Sequence, residues 1–248
     1  KNLKVEGQIA FITSRFCDYQ EYLVNLIMKI TFETLGCKLN QAETEALARQ
    51  FLDAGHELVT EAEEADVFIL NTCTVTHTAD AKARHLLSRV KRKNPNAVLV
   101  ATGCYAQRNP EELVRLVDLV VDNHGKDKLL EKLKEVGVTL GSQLPQKAGA
   151  GTFRTRAFVK IQDGCTNFCA YCIVPYVRTE EKSLPAAGIL AMVQKLEGEG
   201  YREIVLTGTR IGAYDDKGTD LRRLVEKLLA ETEITRFRLS SLQPQEIT

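Results

Sequence analysis

Val67-Phe68-Ile69-Leu70-Asn71-Thr72-Cys73 is a short apolar run that closes on two polar residues and a cysteine. Working outward, the chain repeats one plan. Strand-like runs at 30–35, 98–101 and 119–121 join the one at 67–70, and stretches of helical periodicity lie between them at 42–53, 79–93, 110–116 and 126–136. Such alternation predicts an α/β domain over 28–140, an open doubly wound parallel sheet with helices on both faces. Residues 141–151 hold Gly141, Pro145, Gly149 and Gly151 among Ser, Gln and Ala, which reads as a linker. A second α/β pattern follows over 152–248, with strands at 157–161, 203–206 and 236–239 and helices at 186–197 and 221–230. These βα units begin either a barrel or another open sheet. Met28 precedes the first strand and reads as the natural start, leaving 1–27 as an extension of unknown role.

The 248 residues suffice for one large or two modest domains with a real core. Lys+Arg and Asp+Glu both number 33, so global charge points to no partner, and a nucleic-acid surface must be a local patch. Charges interrupt every apolar run well short of a bilayer span, and no secretory signal stands at the start. The reading is a cytoplasmic protein without a membrane partner. Its seven cysteines then argue against a disulfide framework and toward metal.

Cys165, Cys169 and Cys172 form C-x3-C-x2-C directly after the strand at 157–161. Three close thiolates hold three corners of an iron–sulfur cubane and leave one iron open. Zinc competes, since C-x2-C is a common zinc spacing, although no His lies nearby to close a four-ligand site; redox pairing of the thiols is a third reading. Cys37, Cys73 and Cys104 are distant in sequence, yet each follows a predicted strand. Carboxyl ends of parallel strands share one rim, where open α/β sheets place ligands, so these thiols are expected to converge on a second site. A buried structural role would account for one such cysteine and accounts poorly for three at equivalent ends. Cys17 shares no pattern.

Gly36-Cys37-Lys38-Leu39-Asn40, Asn71-Thr72-Cys73-Thr74-Val75, Thr102-Gly103-Cys104 and Gly164-Cys165-Thr166-Asn167-Phe168-Cys169-Ala170-Tyr171-Cys172 together resemble the radical S-adenosylmethionine (SAM) methylthiotransferases. The resemblance runs from about Met28 to the end of the chain. Gln41 after the first motif and Thr76 after the second are most similar to the branch acting on threonylcarbamoyladenosine in tRNA, rather than the isopentenyladenosine or ribosomal-protein branches.

The resemblance implies a partial radical SAM barrel over 152–248 and two 4Fe-4S clusters, each on three cysteines. It implies that the cluster on Cys165, Cys169 and Cys172 binds and cleaves SAM to a deoxyadenosyl radical, which takes hydrogen from C2 of the base. The cluster on Cys37, Cys73 and Cys104 would present the methylated sulfur. Tyr171 would lie beside the SAM adenine, and Thr207 and Gly208 would contact the SAM amino group. No acid–base residue is required, because the cofactors carry the chemistry. Implied partners are tRNA, a flavodoxin- or ferredoxin-like electron donor and a sulfur source.

Two acid-free basic segments suit RNA phosphates. One lies between Ala81 and Pro110 and carries Lys82, Arg84, Arg89, Lys91, Arg92, Lys93 and Arg108; the other spans 141–162 with Lys147, Arg154, Arg156 and Lys160. A solvated helix face is the plainer reading of such runs. Two departures from the family stand out. Thr179, Glu180 and Glu181 replace glycine and basic residues, and the later barrel strands and C-terminal RNA-binding domain are missing. A fragment that turns SAM over poorly, with an uncovered edge strand at 236–239, is therefore expected. Outside the enzyme class, the alternative is a non-catalytic iron–sulfur or zinc-binding module.

Overall fold

The structure is a computed structural model that describes residues 27–135, 138 and 156–247. The expected linker at 141–151, Cys17 and the expected extension up to residue 26 lie outside the described residues. The first sheet contains β1 (Lys29–Thr34), β2 (Glu57–Leu58), β3 (Val67–Thr72), β4 (Val98–Gly103) and β5 (Leu119–Val121). All pair in parallel, in the order β2-β1-β3-β4-β5. Helices α1 (Lys38–Asp53), α2 (His77–Lys93), α3 (Cys104–Arg108), α4 (Pro110–Leu113) and α5 (Leu129–Glu135) connect or follow them.

Every residue of β3 is buried, and strand side chains alternate between faces. Phe68 and Leu70 pack with Ala83 and Leu87 of α2, whereas Val67 and Ile69 pack with Leu47 and Phe51 of α1 and Leu129 and Leu133 of α5. A strand apolar at successive positions must therefore be covered on both sides, as the sequence implies. The order obtained is the flavodoxin-like doubly wound one, whose switch point lies between β1 and β3.

The second unit holds β6 (Ala157–Lys160), β7 (Gln162–Asp163), α6 (Val174–Val177), β8 (Lys182–Ser183), α7 (Ala186–Gly198), β9 (Glu203–Thr207), β10 (Asp215–Asp216), β11 (Thr219–Asp220), α8 (Leu221–Glu231) and β12 (Arg236–Leu239). Strands β6, β9 and β12 pair in parallel and in chain order, as successive staves of a β/α barrel do. Ile189 and Val193 of α7 and Leu224 and Leu228 of α8 cover Val159, Ile204 and Leu206. Among the described residues β12 pairs with β9 alone, and Arg236, Arg238 and Leu239 are exposed. This is the expected open edge. Ala42 of α1, Phe158 of β6 and Val205 of β9 form one buried cluster, which ties the first unit to the second.

Candidate cysteine centre

The register of the first sheet brings its cysteines to one rim. Thr72 pairs with Gly103, so Cys73 and Cys104 leave their strands at the same level. Thr34 pairs with Asn71, and the Leu35 amide continues that ladder to Asn71 O at 2.9 Å. Gly36 then comes against Cys73: a Cβ on Gly36 would stand 2.7 Å from Cys73 Cβ and 2.9 Å from its Sγ. Cys37 follows as the N-cap of α1.

Two glycines make this approach possible. Gly36 has φ +110 and Gly103 has φ +97, and a Cβ at Gly103 would meet Thr72 O at 2.4 Å. Side chains restrict such backbone strongly. Gly103 thus lets β4 turn at once into α3, whose first residue is Cys104.

Cys73 and Cys104 are buried and Cys37 is exposed; all three are free thiols. Burial pushes the Cys73 thiol above the ordinary cysteine range. A backbone hydrogen bond from Val75 opposes this, while Cys104 and Cys37 reinforce it. A metal that displaces the protons relieves the repulsion among the three. Among the described residues no His, Cys, Asp or Glu trio forms a ready-made site for a single ion. The donor set, three free thiols, suits a soft iron–sulfur group, which spreads its ligands over several irons. Asn123 Oδ1 is buried without a partner at this rim, its Nδ2 lying 4.0 Å from Cys104 Sγ.

Cys165 and Cys172 are half-buried and Cys169 is exposed, again all free. The loop is anchored at its start by Gln162, which is fully buried. Gln162 Nε2 donates to Gly164 O at 2.7 Å, and its Oε1 accepts from the amides of Thr209 (3.1 Å) and Arg210 (2.8 Å). One side chain therefore couples the cysteine loop to the turn after β9. Thr207, the last residue of β9, is buried and bonded to Ser240, and Gly208 opens the turn, where a Cβ would lie 2.7 Å from Gln162 O. Gly164 (φ +73) is also crowded, because a Cβ there would sit 1.8 Å from Glu180 O. Tyr171 is 93% exposed, and Phe168 and Tyr176, also exposed, meet edge to face at 5.7 Å.

An ion network that sequence reasoning missed, although it marks Lys160 as a basic residue facing RNA, lies between the two cysteine sets. It joins Glu43, Lys126, Arg178, Lys160 and Asp163, whose side chains are at most 20% exposed. Burial raises Glu43, but Lys126, Arg178 and Lys160 outweigh it and hold the carboxyl well below the ordinary range. Burial lowers Lys126; Glu43 opposes this and Arg178 adds to it, and the net shift is downward. A signal existed: Glu43 interrupts the buried stripe Leu39, Leu47, Phe51 of α1, where a lone carboxylate needs a partner.

The basic segments divide. Arg84, Lys91 and Lys93 of the first pair with Glu112, Asp118 and Glu63, and Arg108 donates to Thr74 Oγ1 beside Cys73 at 3.3 Å. In the second, Lys147 and Arg154 lie outside the described residues, Lys160 belongs to the buried network and Arg156 pairs with Glu203. No helix among the described residues is long and apolar enough to cross a membrane.

Residues 29–122 match an uncharacterized protein family, UPF0004, and residues 159–244 match the radical SAM superfamily. The chain is 41% identical to a protein of Aquifex aeolicus named threonylcarbamoyladenosine tRNA methylthiotransferase MtaB, covering 89% of this chain and 57% of that one. Its Bacillus subtilis namesake is 38% identical over 88% of this chain and 52% of its own length. A tRNA-2-methylthio-N(6)-dimethylallyladenosine synthase of Pelotomaculum thermopropionicum is 34% identical over 86% and 52%. The chain thus spans about half the length of the curated relatives it matches. The radical SAM methyltransferase TsrM of Kitasatospora setae shares the fold, with a TM-score of 0.54 at 12% identity over 84% of this chain and 53% of TsrM.

Proposed function

The chain belongs to the radical SAM methylthiotransferase family, and from that membership we propose that it serves methylthiolation of a tRNA adenosine, at C2 of threonylcarbamoyladenosine. The observation that carries this is the pairing of two free-cysteine sets, one at the carboxyl rim of each parallel sheet. When bound, two 4Fe-4S clusters supply one-electron cleavage of SAM and a site for the sulfur to be transferred. Cys165, Cys169 and Cys172 hold the first, and Cys37, Cys73 and Cys104 the second. Gln162 sets the turn at Gly208 and the cysteine loop at a fixed spacing, and SAM would lie between them. Thr207 and Gly208 take the SAM amino group and Tyr171 covers its adenine. Arg108 and unpaired basic residues of α2 meet RNA phosphates. No acid–base pair is needed at an aromatic carbon without an acidic proton. A small redox protein of the flavodoxin or ferredoxin kind would deliver electrons, and a separate donor the sulfur.

The test is anaerobic reconstitution. Iron and sulfide should load together, and a Cys165→Ala/Cys169→Ala/Cys172→Ala variant should lose about half of both, since the two sites hold groups of similar size. Stoichiometric zinc without sulfide would sink the proposal. The branch is decided by offering tRNA carrying threonylcarbamoyladenosine against tRNA carrying dimethylallyladenosine.

A further inference from the structure

The two cysteine sets are joined by charges that the proposed chemistry leaves unused. Arg178 caps α6, just beyond the Cys165–Cys172 loop, and its side chain is 3% exposed. It grips Glu43 of α1 with both terminal nitrogens, Nη1 to Oε1 at 2.7 Å and Nη2 to Oε2 at 2.9 Å. Nη1 also donates to Asp163 Oδ1 at 2.7 Å and Nη2 to Asn40 Oδ1 at 3.1 Å. Lys126 Nζ (2.5 Å) and Lys160 Nζ (3.2 Å) complete the surroundings of Glu43. Three cations thus face two carboxylates within hydrogen-bond reach, with Asp127 acting on Lys160 from further off.

Each rim cysteine is one side chain away from this segment. Asn40 accepts from Arg178 and gives its amide hydrogens to Leu35 O and Thr72 O, both at 2.9 Å. Those carbonyls close β1 and β3 just before Cys37 and Cys73, and Cys37 Sγ itself lies 3.9 Å from Asn40 Oδ1. Asn123, beside Cys104, donates to Val177 O at 2.8 Å. A buried ion pair is a poor way to gain stability alone, because desolvation offsets much of the attraction. A forked guanidinium does fix orientation, and placement within about an ångström decides rates in such sites.

We infer that Arg178 is a positioning residue: it registers the segment after the Cys165–Cys172 loop onto the Cys37–Cys73–Cys104 rim and supplies that rim with positive charge. The inference rests on the proposed function for what the rim binds, not for the docking itself. The docking is therefore tested first on the full 248-residue chain without iron. In Arg178→Gln, amide exchange across residues 38–44 and 174–178 should speed up by at least about tenfold, the size expected when one partner of a buried pair is removed. Strands β3, β4 and β9 should stay protected. Arg178→Lys keeps the charge and loses the fork, so exchange should again rise there; it also serves if Arg178→Gln fails to fold. Unchanged exchange in whichever variant folds would overturn the registering role.

The charge is tested in chain whose Cys165, Cys169 and Cys172 are alanine, loaded with iron and sulfide. The rim cluster's reduction potential should move negative in Arg178→Gln and return in Arg178→Lys, which a purely structural role would not produce. An unmoved potential overturns the electrostatic half. Failure of the wild-type rim to take up iron would overturn the proposed function while leaving the exchange result to decide the docking.

Discussion

The rim of the first sheet and the loop of the second gather three thiols by opposite means. Cys37, Cys73 and Cys104 are far apart in the chain and meet because strand register carries their backbones to one level. Their scaffold is rigid: β3 is wholly buried and Gly103 admits no side chain. Cys165, Cys169 and Cys172 are close in sequence, so little closure entropy must be overcome. They sit on a loop with two exposed aromatics, anchored at its start through Gln162 and closed on itself by the turn from Cys172 N to Cys169 O. This contrast points to a rim preassembled by its buried scaffold and a loop held less firmly at the surface.

The largest effect should come from the network that joins the two. Glu43→Gln leaves Arg178, Lys126 and Lys160 buried without their carboxylate and should cost about 3–5 kcal/mol. It should also change the acid limb. The folded carboxyl of Glu43 is held well below its usual value of 4.5, so its contribution is fully present above about pH 4.5 and is lost as pH falls through the folded pKa. Urea midpoints from pH 7 to pH 3 should thus fall more steeply for wild type than for Glu43→Gln. Parallel curves would show that Glu43 is not the group that matters.

That network also marks where legibility stops. Most strands and helices were readable because their pattern is a property of each segment: β5 and β12 lie at the expected residues, and α2 starts two positions early. Strand β2 was not, since Glu57–Leu58 becomes a strand only where Glu57 N and Val59 N reach Met28 O and Ile30 O. Without β2 the switch point between β1 and β3 is invisible. The six cysteines were legible as two sets from motif and strand ends. Their partners Asn40, Gln162 and Arg178 were not, because a polar side chain's burial depends on elements distant in sequence.

Next in size is a pair of glycine replacements. Gly103→Ala should cost on the order of 3 kcal/mol, since strained backbone would meet Thr72 of a central strand that cannot shift. Gly164→Ala forces an even shorter contact, but on Glu180, an exposed residue outside the buried first sheet, and should cost roughly half as much. Thermal melts of the two variants decide this. Equal losses would mean that the loop is as rigid as the rim.

Smaller still is the spread in thiol reactivity of the iron-free chain. Cys73 is buried and its thiol pushed up, which removes thiolate, whereas Cys169 and Cys37 are exposed. Mass-spectrometric alkylation kinetics at pH 7 should find Cys73 slower than Cys169 by at least about tenfold, because only exposed thiolate reacts. Similar rates would say that the rim opens readily and is not preassembled.

The smallest effect separates the rim's local support from stability in general. Thr76 ends the Cys73 loop and caps α2, its Oγ1 accepting from Ala79 N at 3.1 Å. Asp220 does the same for α8, accepting from Arg223 N at 2.8 Å, on an element that carries no cysteine. Removing either cap, as Thr76→Ala or Asp220→Ala, should cost about 1 kcal/mol, so melts alone cannot tell the two apart. Cys73 alkylation can. If the loop from Cys73 to α2 is held by its cap, Thr76→Ala should quicken alkylation of Cys73 a few-fold, Thr76→Ser should restore it, and Asp220→Ala should leave it untouched. A Cys73 rate that rises equally in both alanine variants would mean that the rim opens through global unfolding. Its preassembly would then rest on the sheet as a whole rather than on the turn that presents the thiol.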